Sequence, residues 1–243
     1  MNTIKAILTG HTRGLGAALA DLMLSRGIEV LGVSRTRSST SASSLLREVE
    51  LDLTNSAALG EWLRTETLTR FIDGGHTVLL INNAGMLQPV GPIEAQDVNA
   101  IGRSVSLNVA APLMLSAAVA AASHAASDRR IVHISSGAGR NAYPGWSIYC
   151  ATKAALDHHA RAVTLDRNRA LKICSVAPGV IDTDMQAEIR GTGLEHFPLR
   201  EKFDELKRSG QLSTPADAAR KVLDYALSDT FGDTPAVDVR DLS

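Results

Sequence analysis

The sequence predicts one doubly wound α/β domain with a mostly parallel sheet of about seven strands. Short runs rich in leucine and β-branched residues alternate along the chain with longer segments of helical periodicity. The strand runs are continuously apolar, which is typical of parallel strands covered by helices on both faces. A length of 243 residues fits a single domain spanning residues 1–243, and no internal repeat or linker divides it.

The predicted strands are short and are separated by helical segments. They cover residues 4–9, 28–33, 49–53, 77–81, 131–135, 171–176 and 236–239. A serine-rich loop, residues 38–44, follows the second strand. Because crossovers between parallel strands are right-handed, we expect a doubly wound sheet with its ligand crevice at the carboxyl ends of the strands.

The predicted helices include two long ones with alanine-rich faces. Helical periodicity covers residues 14–26, 56–65, 97–126 and 147–169. The stretch 184–212 differs from these segments, because it is polar and contains three glycines. It is long for a plain connection, so we expect it to be a mobile substrate lid.

Composition argues against several classes of partner. The formal net charge is −1, with 25 basic and 26 acidic residues, so neither nucleic acid nor a membrane surface is expected as a partner. Cys150 and Cys174 lie in apolar surroundings, which favours packing roles in a reducing compartment. The first residues lack the order of a signal peptide, and no apolar run reaches the ~18 residues of a membrane span. The expectation is a cytoplasmic protein without a metal site, since the histidines have no ligand spacing.

A glycine-rich turn joins the first predicted strand to the first helix. Gly10 permits a tight turn, Gly14 allows a pyrophosphate to approach the backbone, and Gly16 lets the helix pack closely on the sheet. The N–H groups of the turn and the helix dipole favour a phosphate. The spacing G-x-x-x-G-x-G differs from the more usual G-x-G-x-x-G, and an ordinary tight connection is the competing interpretation.

The end of the second strand bears on the choice of dinucleotide. Sites for NAD usually carry an acid here, bonded to the ribose 2′-hydroxyl, whereas this chain has Ser34, Arg35 and Arg37 and no acid. A guanidinium can bind a 2′-phosphate, and Arg13 of the glycine turn is a second candidate. The sequence therefore favours NADP(H), although solvated loop arginines would give the same pattern.

Tyr149 and Lys153 are four residues apart at the start of a long helix and so share one face. A lysine ammonium one turn away is expected to lower the pKa of the tyrosine and to make it an acid–base group. Ser136 follows the fifth strand, where a hydroxyl can hold a carbonyl oxygen, and Ser135 is its rival. A surface Tyr/Lys pair on an amphipathic helix is the competing interpretation.

Several segments together resemble the short-chain dehydrogenase/reductase family, in its compact single-domain branch with a Rossmann-type fold. The resemblance covers residues 3 to about 183 and follows the family's order and spacing. The segments that carry it are TGHTRGLG at 9–16, Asp52-Leu53, NNAG at 82–85, Asn108, Ser136 with Tyr149-Cys-Ala-Thr-Lys153, and Pro178-Gly179 followed by Thr183.

The resemblance implies a role for each matching residue. Ser136, Tyr149, Lys153 and Asn108 resemble the catalytic set, in which the asparagine holds a water beside the lysine. The positions similar to the family's cofactor-binding residues are Gly10, Thr12, Arg13, Gly14, Leu15, Gly16, Ser34, Arg35, Asp52, Leu53, Asn83, Ala84, Gly85, Tyr149, Lys153, Pro178, Gly179, Ile181 and Thr183. The expected cofactor is NADP (NADPH).

Two departures from the family's pattern are visible. Thr152 stands where members often have serine, and it keeps the hydroxyl. The final segment, residues 235–243, lacks the Asp-Gly-Gly turn that is frequent in the family, which puts the family's tetramer contact in doubt. A homodimer through the helices 97–126 and 147–169 fits the sequence, and a homotetramer is the alternative.

The predicted function is interconversion of a carbonyl and the corresponding alcohol with NADP(H). In reduction, hydride passes from the nicotinamide to the carbonyl carbon, Tyr149 donates the proton, Ser136 orients the oxygen, and Lys153 with Asn108 resupplies the proton. Two alternatives are a dinucleotide-binding sensor or regulator and an interaction protein on the same fold. The substrate is not readable, and Tyr143 and Trp146 either line its pocket or pack the loop.

Overall fold

Seven strands form one all-parallel sheet within the residues that the computed structural model describes, which are 3–38, 43–166, 168 and 170–242. The strands are Ile4–Thr9 (β1), Glu29–Ser34 (β2), Leu46–Glu50 (β3), Thr77–Asn82 (β4), Asp128–Ile134 (β5), Leu171–Ala177 (β6) and Ala236–Asp238 (β7). Their order in the sheet is β3-β2-β1-β4-β5-β6-β7. The order reverses between β1 and β4, which is where a doubly wound sheet opens its ligand crevice.

Helices cover both faces of the sheet. They are Gly14–Ser25 (α1), Ser56–Leu63 (α2), Thr67–Ile72 (α3), Val98–Val105 (α4), Ala111–Ala122 (α5), Ser147–Thr164 (α6), Asp184–Gly191 (α7), Arg200–Arg208 (α8) and Pro215–Leu227 (α9). Short 3₁₀ turns lie at Ile93–Ala95 and Gly137–Gly139. The predicted fold class, a doubly wound Rossmann-type sheet, is confirmed.

Successive residues of a strand point to opposite faces of the sheet, so alternate strand residues pack into two separate hydrophobic cores. Ala6 and Leu8 of β1 pack with α1 and α9, whereas Ile7 between them packs with α2, α3 and α5. A third cluster joins the aromatic residues near the start of α6 to the segment 184–208. The third cluster lies at the ligand side, so it is the one that bears on function.

The main differences from the sequence predictions concern the third strand and two helical segments. The third strand is Leu46–Glu50 and not 49–53, because its pattern of charged and apolar residues is that of a half-covered strand at the sheet edge. The helix expected over 97–126 consists of α4 and α5 joined by a π-helical segment, Ser106–Ala110. Helix α3 was not predicted, because its threonines are poor helix formers.

The segment 184–212 contains more structure than the predicted polar connection. It forms helices α7 and α8, with Ile189, Phe197 and Phe203 buried in the third cluster. These apolar residues are spaced too far apart to give a clear helical pattern in the sequence. The segment therefore packs on the body of the protein in this structure.

Residues 98–122 are long and apolar enough to cross a membrane by length and composition, which the sequence analysis did not anticipate. Ala111, Leu115 and Val119 from this stretch are buried against the sheet, as in a helix of a protein core. Val98 and Val105, by contrast, are exposed. The stretch is thus partly a core helix and partly an apolar surface.

Candidate active site

The glycine turn closes tightly against the start of α1. Gly10 has a φ of +67°, which favours glycine, and a Cβ on Gly16 would lie 1.9 Å from the Gly10 carbonyl oxygen. Helix α1 begins at Gly14, and the side chain of Arg13 makes no capping bond to its first N–H groups. These N–H groups are the donors with which a helix N-terminus binds a phosphate.

Asn83 ties the end of β4 to the glycine turn. Its Nδ2 donates to the carbonyl oxygens of Thr9 and Gly10 at 2.9 and 3.1 Å. The Thr9 hydroxyl accepts in return from the backbone N–H groups of Asn83 and Ala84, both at 2.9 Å. The predicted cofactor segments 9–16 and 82–85 are therefore brought together at the switch point of the sheet.

His11 of the glycine turn has a partner that the sequence analysis missed. Its Nε2 lies 2.8 Å from Oε1 of Glu48 on β3, and the same oxygen accepts from the Ser38 backbone N–H at 2.6 Å. A Cβ on Gly32 would collide with the imidazole at about 2.5 Å, so the glycine of β2 makes room for the ring. The pair links the turn to the loop that carries Arg35.

The basic residues near the second strand have different surroundings. Arg35 is exposed and follows the buried Ser34. The pKa of Asp52 is lowered mainly by a hydrogen bond from the Thr54 backbone N–H, and the charge of Arg35 lowers it further. Arg37 pairs with Glu50 at 2.7 Å. Arg13 lies 3.4 Å from Asp184 at the start of α7. Arg13 thus contacts the opposite side of the crevice, and Arg35 is the better placed candidate for a 2′-phosphate.

Tyr149 and Lys153 share one face of α6, as their spacing requires, and both are buried. The Lys153 ammonium donates to the Ile134 carbonyl oxygen at 2.8 Å and lies 5.6 Å from the centroid of the Tyr149 ring. Burial lowers the pKa of Lys153 to about 8, and the Asp157 carboxylate opposes this shift. The ammonium still has two donors to offer a ligand, since it carries three.

The pKa of Tyr149 moves in the opposite direction from the sequence prediction. Burial raises it to about 12, while a hydrogen bond with Ser136 lowers it. Burial disfavours the charged phenolate, and in this structure that effect dominates. At neutral pH Tyr149 is therefore a phenol, which is the form that can donate a proton.

The two serines after β5 point to different partners. Ser136 is half-buried, and its hydroxyl oxygen accepts from the Ala138 backbone N–H at 3.2 Å in addition to its contact with Tyr149. Ser135 is buried and donates to Asp157 Oδ1 at 2.7 Å. Ser136 is thus the serine beside the tyrosine, and Ser135 has a supporting contact.

Asn108 lies in the π-helical segment and holds the loop after β4. Its Oδ1 accepts from the Met86 N–H at 2.9 Å, and its Nδ2 donates to the Met86 carbonyl oxygen at 2.8 Å. Nδ2 also reaches the Thr152 hydroxyl at 3.2 Å. A Cβ on Gly85 would lie 3.4 Å from Asn108 Oδ1 and 3.6 Å from Lys153 Nζ, so this glycine separates the two polar groups.

Aromatic side chains from two segments meet beside Tyr149. The Trp146 ring stacks on Phe197, with centroids 4.5 Å apart, and meets the Tyr149 ring edge-on at 5.6 Å. Tyr143 and Phe203 also contact Trp146. Trp146 is buried, but its Nε1 has no hydrogen-bond partner among the described residues. Of the two aromatic residues singled out in the sequence, Trp146 thus contacts the segment 184–212, and Tyr143 packs on Trp146.

The segment after β6 approaches the glycine turn. A Cβ on Gly14 would lie 3.3 Å from Thr183 Cγ2, and Thr183 is the N-cap of α7. Ile181 bridges to Ser213 beside it, and Gly179 has a φ of +81°. Thr183, which is matched to nicotinamide binding, therefore lies against Gly14 of the turn that is matched to pyrophosphate binding. No group of three histidine, cysteine or acidic residues suited to a metal occurs in the described part of the chain.

The all-parallel sheet and the residues at its carboxyl edge define a Rossmann-type oxidoreductase fold. The family model for short chain dehydrogenases matches residues 5–193. The chain belongs to this family, whose members use a nicotinamide dinucleotide and act on carbonyl and alcohol groups. The predicted family membership is thereby confirmed.

Curated relatives and solved structures agree with this assignment. The chain is 33% identical over 238 residues to a benzil reductase ((S)-benzoin forming) of Bacillus cereus, covering 93% of this chain and 94% of the relative. It is 31% identical to the sepiapterin reductase of Meriones unguiculatus, with coverages of 97% and 95%. The chain is also 51% identical to a short-chain dehydrogenase/reductase from Burkholderia vietnamiensis whose crystal structure is known, with a TM-score of 0.72. This match covers 100% of this chain and 99% of the other.

Proposed function

We propose that the protein is an NADPH-dependent carbonyl reductase whose preferred substrates are aromatic ketones and 1,2-diketones. The proposal rests above all on the buried Tyr149 and Lys153 lying beside Ser136, at the sheet edge that carries the glycine turn. The names of the benzil reductases and the sepiapterin reductase support carbonyl reduction. Benzil is an aromatic 1,2-diketone, and the half-buried ring of Tyr143, which packs on Trp146 beside Tyr149, is an aromatic surface that such rings can contact.

The glycine turn fits a dinucleotide. The first N–H groups of α1 lack a side-chain cap, and the absent side chains at Gly10 and Gly16 let the turn close tightly beneath them. Asn83 holds this turn against β4. These residues would bind the pyrophosphate, while Lys153 would bind the nicotinamide ribose. When bound, the nicotinamide supplies the hydride.

The preference for NADPH over NADH rests on the end of β2. A carboxylate there would repel a 2′-phosphate, and this position is occupied by Ser34 and Arg35. Arg35 is exposed, so its guanidinium is free to turn toward a phosphate and bind it with paired hydrogen bonds. Arg13 is a weaker candidate, because it already faces Asp184.

The proton is handled by the chain's own residues. Ser136 holds the carbonyl oxygen of the substrate, and Tyr149 donates its phenolic proton to that oxygen as the hydride arrives. The Lys153 ammonium, fixed by the Ile134 carbonyl, stabilises the phenolate that results. Asn108 Oδ1 keeps one lone pair after accepting from Met86, and with it can hold a water that returns a proton through Lys153.

A second copy of the chain is the expected partner. Helices α4, α5 and α6 lie on the same side of the sheet, and Val98 and Val105 leave apolar surface exposed there. Covering this face with the same face of another copy would bury it, which supports a homodimer. Light scattering after size exclusion tests this, and a monomer at micromolar concentration would contradict it.

The function is tested by following NADPH oxidation with a panel of ketones, aldehydes, quinones and diketones. We expect benzil and related aromatic diketones to have the highest kcat/KM, and small aliphatic ketones to be poor substrates. Dinucleotide binding without turnover of any carbonyl would instead indicate a sensor or regulatory protein. Failure to bind any dinucleotide would leave only a scaffold role.

A further inference from the structure

Asp157 is a buried carboxylate that the mechanism above does not use. It is 1% exposed, and three donors surround it. Its Oδ1 accepts from the hydroxyls of Ser135 and Ser175 at 2.7 and 2.6 Å, and its Oδ2 accepts from Arg140 Nε at 3.1 Å. These donors come from the end of β5, from β6 and from the loop before α6, so one carboxylate joins three parts of the site.

The position of Asp157 on α6 places it in line with the catalytic residues. Tyr149, Lys153 and Asp157 are spaced four residues apart, which puts them on one face of the helix, and all three are buried. The Lys153 ammonium in the middle is anchored by Ile134, the residue before Ser135. A stripe of proton donor, ammonium and carboxylate therefore runs along the helix.

The contacts of Asp157 hold both flanks of Ser136. On one side, Ser135 donates directly to the carboxylate. On the other side, the turn Gly137–Gly139 lies flat on α6, because a Cβ on Gly139 would lie 3.1 Å from Asp157 Oδ2 and 3.0 Å from the Lys153 carbonyl carbon. Arg140 ends this turn with its bond to Asp157. The segments on both sides of Ser136, the serine proposed to orient the substrate, are thus held by contacts with the Asp157 side chain.

Asp157 also supplies negative charge near a buried ammonium. Burial lowers the pKa of Lys153 to about 8, and the Asp157 charge acts in the opposite direction. Of the other groups that face the pair, His133 on β5 has a pKa lowered to about 3 and Cys174 on β6 a pKa raised to about 11, both by burial. Tyr149 is also uncharged. Asp157 is therefore the charged neighbour that acts on the ammonium, and Arg140 acts on it through its contact with the Asp157 carboxylate.

We propose that Asp157 is a positioning residue of the active site, which fixes the loop of Ser136 and stabilises the charged form of Lys153. The inference deepens the proposed function, because it concerns the same site. It predicts that activity depends on the charge of Asp157 as well as on its shape. A purely structural carboxylate would affect folding but not the proton chemistry.

The test compares Asp157→Asn with Ser175→Ala by their pH profiles for carbonyl reduction and for NADPH binding. Asparagine keeps the size and one acceptor oxygen but removes the charge, so the basic limb of kcat should move down by at least about half a pH unit. NADPH binding should weaken at the correspondingly lower pH, since Lys153 is proposed to bind the ribose. Ser175→Ala removes one donor and keeps the charge, so its limb should stay in place.

A third variant keeps the test decisive if Asp157→Asn does not fold. Arg140→Gln removes the cation that competes for the carboxylate, so its limb should move to higher pH. The proposal would be overturned if the basic limb of kcat lay at the same pH in Asp157→Asn and the unmodified protein. It would also be overturned if Ser175→Ala shifted this limb as much as Asp157→Asn does, or if Arg140→Gln did not shift it. A protein that binds NADPH but reduces no carbonyl would refute the proposed function, and the binding profiles would still decide the role of Asp157.

Discussion

The ring of Phe197 lies parallel to that of Trp146, with an interplanar angle of 1° and 4.5 Å between the ring centroids. Phe197 belongs to the segment 184–212, and Trp146 immediately precedes helix α6. Phe197 is fully buried, and it packs with Trp146 and Phe203 in the third cluster. The stack therefore connects the proposed lid to the residues next to Tyr149.

The first prediction concerns this lid. We expect residues 184–212 to exchange backbone hydrogens faster than the sheet in the ligand-free protein and to gain protection when NADPH and substrate bind. Phe197→Ala should remove most of that protection, because truncating a buried phenylalanine costs about 3–5 kcal/mol. Leu194→Ala, at a position that is 41% exposed, is the matched control and should change little. Strong protection of the ligand-free segment would count against a lid.

The second prediction concerns the proton donor. Tyr149→Phe keeps the buried ring and removes the hydroxyl, so folding and NADPH binding should survive while kcat falls at least ~10²-fold. Tyr143→Phe makes the same chemical change at the other tyrosine that contacts Trp146 and should retain most activity. Single-turnover rates with both variants would decide the matter, and near-normal reduction by Tyr149→Phe would overturn the mechanism.

The third prediction concerns pH. In the proposed mechanism, reduction needs protonated Tyr149 and protonated Lys153; burial raises the pKa of Tyr149 to about 12 and lowers that of Lys153 to about 8. As the pH rises, Lys153 loses its proton first, so kcat for reduction should fall above a pH near 8. Steady-state rates at saturating substrate across pH 6–10 would show this limb. A rate that stays constant up to the top of that range would contradict the assigned role of Lys153.

The fourth prediction concerns cofactor choice. NADPH should bind at least tenfold more tightly than NADH, a difference of about 1.4 kcal/mol. Arg35→Asp should narrow or reverse this preference, because a carboxylate repels a 2′-phosphate. Arg37→Ala is the control, since that guanidinium already pairs with Glu50. Fluorescence titrations of the three proteins with both dinucleotides measure the six affinities, and equal affinities in the unmodified protein would refute the preference.

The fifth prediction concerns the glycine turn. Gly16→Ala would place a methyl group 1.9 Å from the Gly10 carbonyl oxygen, so the turn must shift and dinucleotide binding should be lost. Gly102→Ala adds the same methyl group on exposed α4, where nothing lies within 4 Å. It should stabilise the protein by about 0.5–1 kcal/mol, as expected for alanine in a helix. Thermal melts and NADPH titrations compare the pair, and unimpaired binding by Gly16→Ala would contradict the proposed phosphate site.

The parallel fold could be predicted from the sequence because its strands are short apolar runs with clear breaks. Tyr149 and Lys153 could be placed on one helix face from their spacing alone. The direction in which the pKa of Tyr149 shifts could not be predicted, because it depends on how deeply tertiary packing buries the phenol. Whether NADPH is preferred and which residues act in catalysis stay predictions.

The spacing of Asp157 from Lys153 can be read from the sequence, but its buried contacts cannot. Its position four residues after Lys153 was visible, yet an aspartate on a helix is usually solvated. Its partners Ser135, Arg140 and Ser175 come from three separate segments, and no local pattern joins them. The same holds for His11 and Glu48, which are 37 residues apart.

Strand β3 forms one edge of the sheet, and edge strands invite pairing with other chains. Its sequence Leu-Arg-Glu-Val-Glu places three charges in five residues. Charged side chains along such an edge disfavour strand addition, which protects against aggregation during slow assembly of a parallel sheet. Glu48 thus combines a contact to the glycine turn with protection of the edge, and replacing the charges of β3 with apolar residues should reduce the yield of refolded protein.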